Sequence, residues 1–443
     1  MSLFRPSFPW TLFVLLAAGG LAPSAPAAET PFTETVESLV AEALEKSPAL
    51  AATWAEVAAA RERVAPAGTL PDPMLSLGYE NDGASFSLGE EPMTRLSFMA
   101  EQQIPWPGKL RAASKLAVAD VEVVEARLAR IRLSVEAAVR RAAARLLEAR
   151  ELEAVTRDQG KTWERIEAVA RNRYAAGMGT QQDVLRAQAE RTRLLQQARR
   201  DEAAGRVALA ELRRLLLSGP DEPVSLAGGL ADAHPVAPEA GAERARAEEK
   251  SPELALVRKV AARETLAIDL AKRDRSPDLV ASAGYMNRGS LPLMWSVGLG
   301  VSVPLFSSRK QEPRVREAEA RLAAAKAAES DVRSLLLART EERLALLDQL
   351  AEEARLDRES LLVQDRLAVE AALASYGTGT VPFVTVLEAI GTEFSDRRAA
   401  LARLAGFRTA QADLLELSLE GAAAMTPSAA PSAPAAMSAG GGM

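Results

Sequence analysis

The chain has 443 residues, 26% of them charged and 4% aromatic, with a formal net charge of −6, one histidine and no cysteine. Without cysteine there can be no disulfide framework and no lipid anchor on an N-terminal cysteine. The acidity argues against nucleic acid, whose binders carry basic patches, and the length allows two average domains or one large elongated one.

Residues 1–27 read as a signal peptide. Arg5 is the only charge before Glu29, a mostly apolar run extends from Trp10 to Ala18, and small residues end at Ala25-Pro26-Ala27. The apolar core is too short to cross a bilayer as a helix and an A-x-A site follows it, so export and cleavage after Ala27 are expected. No later run of about 18 apolar residues occurs, so any contact of the mature chain with a membrane must use β-strands.

The rest of the chain says the same thing twice. Residues 28–217 form a first repeat: a helix opened by Ser47-Pro48, a strand pair over 72–104 and a long helical hairpin. Residues 218–244 are a linker rich in Pro, Gly and Ala. Residues 245–420 form the second repeat, with a helix opened by Ser251-Pro252, a strand pair over 277–305 and another hairpin. Pro71-Asp72 returns as Pro277-Asp278, Gly78-Tyr79 as Gly284-Tyr285, and Tyr174 as Tyr376. Residues 421–443 are low-complexity and expected to be disordered.

Within the strands apolar residues alternate with small or polar ones. Leu75, Leu77 and Tyr79 share a face, as do Leu96, Phe98 and Ala100, with Met99 out of pattern. Leu279, Ala281, Ala283 and Tyr285 repeat this, with Val280 the exception. Trp295, Val297, Leu299 and Val301 are the clearest candidates for a lipid face, against Ser296, Gly298, Gly300 and Ser302. Such alternation suits the wall of an outer-membrane barrel; a half-buried hairpin on a soluble core would show it too. The export signal and the length of the flanking helices favour the barrel. Four strands cannot close a barrel, and lipid tolerates no open edge, so three copies would pool their strands into a twelve-stranded wall.

The helices are long. From Lys109 to Asn172 the only Gly or Pro is Gly160, and from Arg314 to Tyr376 there is neither, so each helix should extend about 100 Å. Leu128, Ile131, Val135, Ala138, Ala142 and Leu146 make a packing stripe, matched by Leu337, Thr340, Leu344, Leu347 and Ala351. Each long helix then turns back, at Arg173-Tyr174 with Gly177 and Gly179, and at Tyr376 with Gly377 and Gly379. The glycines can supply positive φ, and Thr180 and Thr380 can cap the returning helices.

Chemistry is sparse. His234 is in the linker, so neither a zinc site within one chain nor a Ser-His-Asp set is expected. No phosphate-binding glycine loop joins a strand to a helix. Met425, Met437 and Met443 are soft ligands by type, yet scattered along the tail. No catalytic residue, cofactor or metal site is expected, and the chain is not read as an enzyme.

The strings LPDPMLSLGYE, QQIPWPGKL, RYAAGMGTQQDVLRAQ, SPDLVASAGY, VSVPLF and YGTGTVPFVTVLEA, in this order, resemble TolC-family outer-membrane efflux proteins. The resemblance implies a mainly α chain: long α-helical hairpins forming a trimeric helical barrel, plus four β-strands per chain contributing to a 12-stranded outer-membrane β-barrel. It implies a homotrimer in outer-membrane lipid that reaches into the periplasm, with the linker part of a belt around the helical barrel. The expected partners are a periplasmic adaptor (membrane fusion) protein and an inner-membrane pump of the resistance–nodulation–division type. The protein would then be a passive exit duct. The PDP and IPWPGK strings are most similar to the heavy-metal (CzcC/CusC-like) branch, making heavy-metal ions a candidate cargo. The competing class is a soluble periplasmic adaptor or a structural coiled-coil protein. The resemblance also implies that Arg173, Tyr174, Gly177, Gly179, Asp183, Tyr376, Gly377 and Gly379 form the closable aperture and adaptor contact. Threefold symmetry would make Asp183 a ring of three carboxylates that attracts cations. Thr385 stands at the matching place in the second repeat, so a second acidic ring is not supported.

Overall fold

The computed structural model describes residues 35–84, 86–230 and 235–416; the predicted signal segment, His234 and the predicted tail lie outside these residues. The first repeat runs α1 (Val36–Lys46), α2 (Pro48–Glu62), α3 (Val64–Gly68), β1 (Met74–Glu80), β2 (Arg95–Ile104), α4 (Lys109–Ala175) and α5 (Gln181–Leu216). The second runs α6 (Ala240–Lys250), α7 (Pro252–Arg273), β3 (Asp278–Asn287), β4 (Met294–Ser302), α8 (Gln311–Leu356), α9 (Leu362–Thr378) and α10 (Phe383–Glu416). The two Ser-Pro pairs open helices for the same reason. Ser47 accepts from the Leu50 amide and Ser251 from the Leu254 amide, while Pro48 and Pro252 occupy first-turn positions where a missing N–H costs nothing.

The strands form one antiparallel sheet in the order β1-β2-β3-β4. Its register keeps the faces sorted, because antiparallel partners point the same way. Leu77 lies opposite Phe98, Phe98 opposite Tyr285, and Tyr285 opposite Trp295; Ala281 lies opposite Leu299. This face is bare: Leu299 is 86% exposed and Leu75 78%. The other face is lined largely by glycine and serine in cross-strand pairs, Gly78 with Ser97, Ser282 with Gly298, and Gly284 with Ser296. A Cβ on Gly284 or Gly298 would come 2.6 Å from the partner serine Oγ, so a larger residue there would have to displace that side chain. β1 and β4 are the open edges.

Below the sheet, α4 is one unbroken helix of 67 residues, about 100 Å long. It packs against α5, α7 and α10. The seams are mostly alanine, with Ala142 and Leu146 buried and Leu128, Ile131, Val135 and Ala138 half-buried. In the second repeat Thr340, Leu344 and Leu347 are buried as expected, but Leu336 rather than Leu337 takes the fully buried place.

The second long helix is not continuous α. A π turn at Asp357–Leu361 divides α8 from α9. Arg403 of α10 grips Asp357 with both arms of its fork, Nε donating to Oδ2 at 2.6 Å and Nη2 to Oδ1 at 2.8 Å. The extra residue in the turn goes with a buried ion pair that helix periodicity does not reveal.

Candidate functional site

The hairpin tips carry most of the predicted site residues, and the fold brings those of both repeats together. Arg173, near the end of α4, reaches across to the other hairpin. Its Nη1 donates to the Tyr376 carbonyl at 2.8 Å and the Gly377 carbonyl at 3.0 Å, and Nη2 donates to the Met178 carbonyl at 3.1 Å. The guanidinium also lies 4.7 Å above the Tyr376 ring. Tyr376 is 4% exposed and packs on Phe383 with ring centroids 5.3 Å apart. Arg173 therefore stitches the first tip to the second.

The four glycines do different jobs. Gly177 (φ 69°) and Gly379 (φ 80°) occupy the left-handed region, as expected. Gly179 and Gly377 do not, which corrects the reading that all four supply positive φ. Gly179 is small for another reason: a Cβ there would lie 3.1 Å from Arg173 Cβ and 3.2 Å from the Tyr174 amide. Gly377 belongs to the last turn of α9 and offers its carbonyl to Arg173.

Thr180 caps α5, accepting from the Asp183 amide at 3.3 Å. Thr380 caps nothing: its hydroxyl donates to the Ser375 carbonyl at 2.8 Å, and α10 starts at Phe383. Asp183 is not a free acid at the turn. Its Oδ2 accepts a long hydrogen bond, 3.4 Å, from the buried Tyr376 hydroxyl. Burial and the Asp183 charge push the Tyr376 phenol above its ordinary range, so at neutral pH it remains a donor. Tyr174 is 50% exposed and Met178 66%, and both leave apolar surface at the tip.

A second polar cluster, which sequence reasoning missed, lies higher in the hairpins. Asp201 of α5, 4% exposed, accepts from both arms of Arg398 of α10 at 2.7 and 2.8 Å. Thr156 of α4 donates to it at 2.6 Å and Gln197 at 2.8 Å. Burial pushes the Asp201 carboxyl up, but Arg398, Thr156 and Gln197 outweigh that and hold it below the usual carboxylate range. The repeat gives no signal for it, since Arg403 stands at the place of Asp201 in the second copy and pairs with Asp357 instead.

At the sheet end, Lys109 opens α4 and donates to Asp278 Oδ1 and to the Ser276 carbonyl, both at 2.8 Å. The Trp106 amide donates to the same Asp278 oxygen at 2.9 Å. The IPWPGK string thus joins the end of β2 to the start of β3. Among the described residues no group of three or more His, Cys, Asp or Glu side chains is arranged to hold a metal ion.

The family model described as outer membrane efflux protein matches residues 39–216 and 244–418. Among curated proteins none matches significantly in sequence. Several solved structures share the fold. A membrane protein from Pseudomonas aeruginosa is 19% identical with a TM-score of 0.75, covering 86% of this chain and 92% of its own. The outer membrane protein VceC from Vibrio cholerae is 19% identical with a TM-score of 0.71, covering 86% and 94%. CusC, described for the conformational changes that accompany transmembrane channel formation, is 15% identical with a TM-score of 0.69, covering 88% and 91%.

Proposed function

This chain belongs to the outer membrane efflux protein family, and on that premise we propose that three copies form the exit duct of a tripartite efflux system. Their strands close a twelve-stranded barrel in outer-membrane lipid, and their hairpins reach into the periplasm. A periplasmic adaptor docks at the tips, an inner-membrane pump supplies the energy, and cargo passes through without chemical change.

The observation that carries this reading is the sheet: one face of mostly exposed apolar side chains, a largely glycine–serine face opposite, and two open edges. In water such a sheet is an aggregation hazard; in a membrane it is a third of a wall. Family membership displaces the soluble-adaptor and coiled-coil alternatives. The tips are the proposed aperture, held shut by Arg173 and Tyr376, with Asp183 contributing through its bond to Tyr376 rather than as a bare carboxylate.

For cargo we keep heavy-metal ions, on the PDP and IPWPGK strings alone. Lys109 and Asp278 of those strings serve the strand–helix junction, and CusC is no nearer in fold than VceC. Detergent extraction from outer membranes followed by light scattering tests the duct. A trimer that requires detergent supports it; a soluble or stably monomeric chain overturns it.

A further inference from the structure

The duplication leaves the Lys109–Asp278 tie with no counterpart inside one copy. That tie joins the end of β2 to the start of β3, across the boundary between repeats. Its repeat-related positions are the end of β4 and the start of β1. Pro304 stands for Pro105 and Asp72 for Asp278. The turn after Pro304 carries Arg309 and Lys310 where the turn after Pro105 carries Lys109. In one copy these groups flank opposite edges of the sheet. Asp72, Arg309 and Lys310 are all exposed, and among the described residues none of their side chains has a hydrogen bond or an ion pair.

We propose that the Arg309–Lys310 pair of one copy binds Asp72 of the next copy around the ring, completing between copies the tie that Lys109 and Asp278 make within one. The inference rests on the trimer reading above. An independent feature agrees with it. Carrying the β2–β3 register over by the same offsets sets Val301 of one copy opposite Leu75 of the next, and Leu299 opposite Leu77. All four residues are on the bare apolar face. One register therefore satisfies the charges and keeps the lipid face continuous, whereas a slip by one residue would set apolar side chains against the glycine–serine face.

The copy-to-copy tie is looser than its model within the chain. The Leu305 amide, which stands where Trp106 does, is already bonded to the Val303 carbonyl at 2.9 Å. The turn also has two more residues before Lys310 than the other has before Lys109. An ion pair remains, at a periplasmic rim reached by water, so salt should weaken it.

The absence of native cysteine makes the test clean. Asp72→Cys is combined with Lys310→Cys, and separately with Arg309→Cys, and each trimer is oxidised gently in detergent. At least one pair should give dimer- and trimer-sized bands in SDS that a reductant returns to monomer. Asp278→Cys with Lys310→Cys should not. Asp72→Lys should lower the temperature at which the trimer falls apart in SDS, and adding Arg309→Glu with Lys310→Glu should restore it. If light scattering shows a trimer yet neither pair cross-links between chains, or the charge swap restores nothing, the inference is wrong while the trimer stands. If light scattering shows a monomer, the trimer reading fails and this inference fails with it.

Discussion

Replacing Arg173 by alanine should loosen the tip and open the duct. The side chain makes three hydrogen bonds to carbonyls, at 2.8, 3.0 and 3.1 Å, and covers the Tyr376 ring. A charged donor is worth about 1.5–3 kcal/mol per bond when sheltered, and Arg173 is only half-buried. Discounting for solvent to about 1 kcal/mol per bond gives roughly 2–3 kcal/mol per copy. At 1.4 kcal/mol per factor of ten, that raises the open fraction of each tip by about 30- to 150-fold. The amides of Gly379 and Thr380, bonded to the Tyr376 and Ser375 carbonyls within the second tip, report loosening of the turn that Arg173 holds. Their hydrogen exchange should speed up by that factor, and single-channel conductance in planar bilayers should rise. Arg173→Lys keeps the charge without the fork, so it should fall between the two. Arg173→Ala with unchanged exchange at these amides and unchanged conductance would refute the idea that Arg173 holds the tips together.

Leu299→Arg, on the bare sheet face, should cost about 2–4 kcal/mol near mid-bilayer, while Ser296→Arg, on the glycine–serine face, should cost far less; folded-trimer yield in lipid vesicles measures the difference, and equal damage would remove the wall reading. Arg398→Leu strands the buried Asp201 carboxylate and should destabilise by about 3 kcal/mol, the low end for a broken buried pair because Thr156 and Gln197 still donate. Because the folded state holds the Asp201 carboxyl below its usual range, its contribution is full above the unfolded value of about 4 and fades as pH falls through the lower folded value. Guanidinium titrations between pH 3 and 7 should therefore show a flatter acid limb for Asp201→Asn than for the parent, and identical limbs would contradict the linkage.

The parts visible in the sequence were those decided by near neighbours. Ser47-Pro48 and Ser251-Pro252 open helices because a cap and a first-turn proline act within three residues. The strand faces follow from period 2, and the edges follow from counting strands. What could not be seen depends on partners roughly 200 residues away. Tyr174 and Tyr376 are repeat-equivalent, yet one is 50% exposed and the other 4%. Arg173 precedes Tyr174 where Ser375 precedes Tyr376, but the sequence does not reveal that Arg173 covers the Tyr376 ring of the other hairpin. The π turn escaped too, since the ion pair that goes with it joins Asp357 to Arg403 on another helix, 46 residues on.

Charged ties spaced along α10 add to its apolar packing, in which Phe383, Val386, Ile390, Phe407 and Leu414 are buried. Arg141 of α4 binds Asp413 and Glu416 near the top, Arg403 binds Asp357 of the π turn, and Arg398 binds Asp201. From Arg398 to Phe383 no comparable tie to another helix recurs among the described ion pairs, and the length between them is about 22 Å of helix. Below that stretch Arg173 binds the Tyr376 and Gly377 carbonyls, beside a buried apolar cluster that includes Trp163, Ile166, Tyr376, Phe383, Val386 and Ile390. An opening at the tips would therefore have to break that hold and part this apolar cluster, while the three upper ties keep the rest of the hairpin pair fixed. An opening that leaves the three upper ties intact is confined to the part of the hairpins below the Asp201–Arg398 pair.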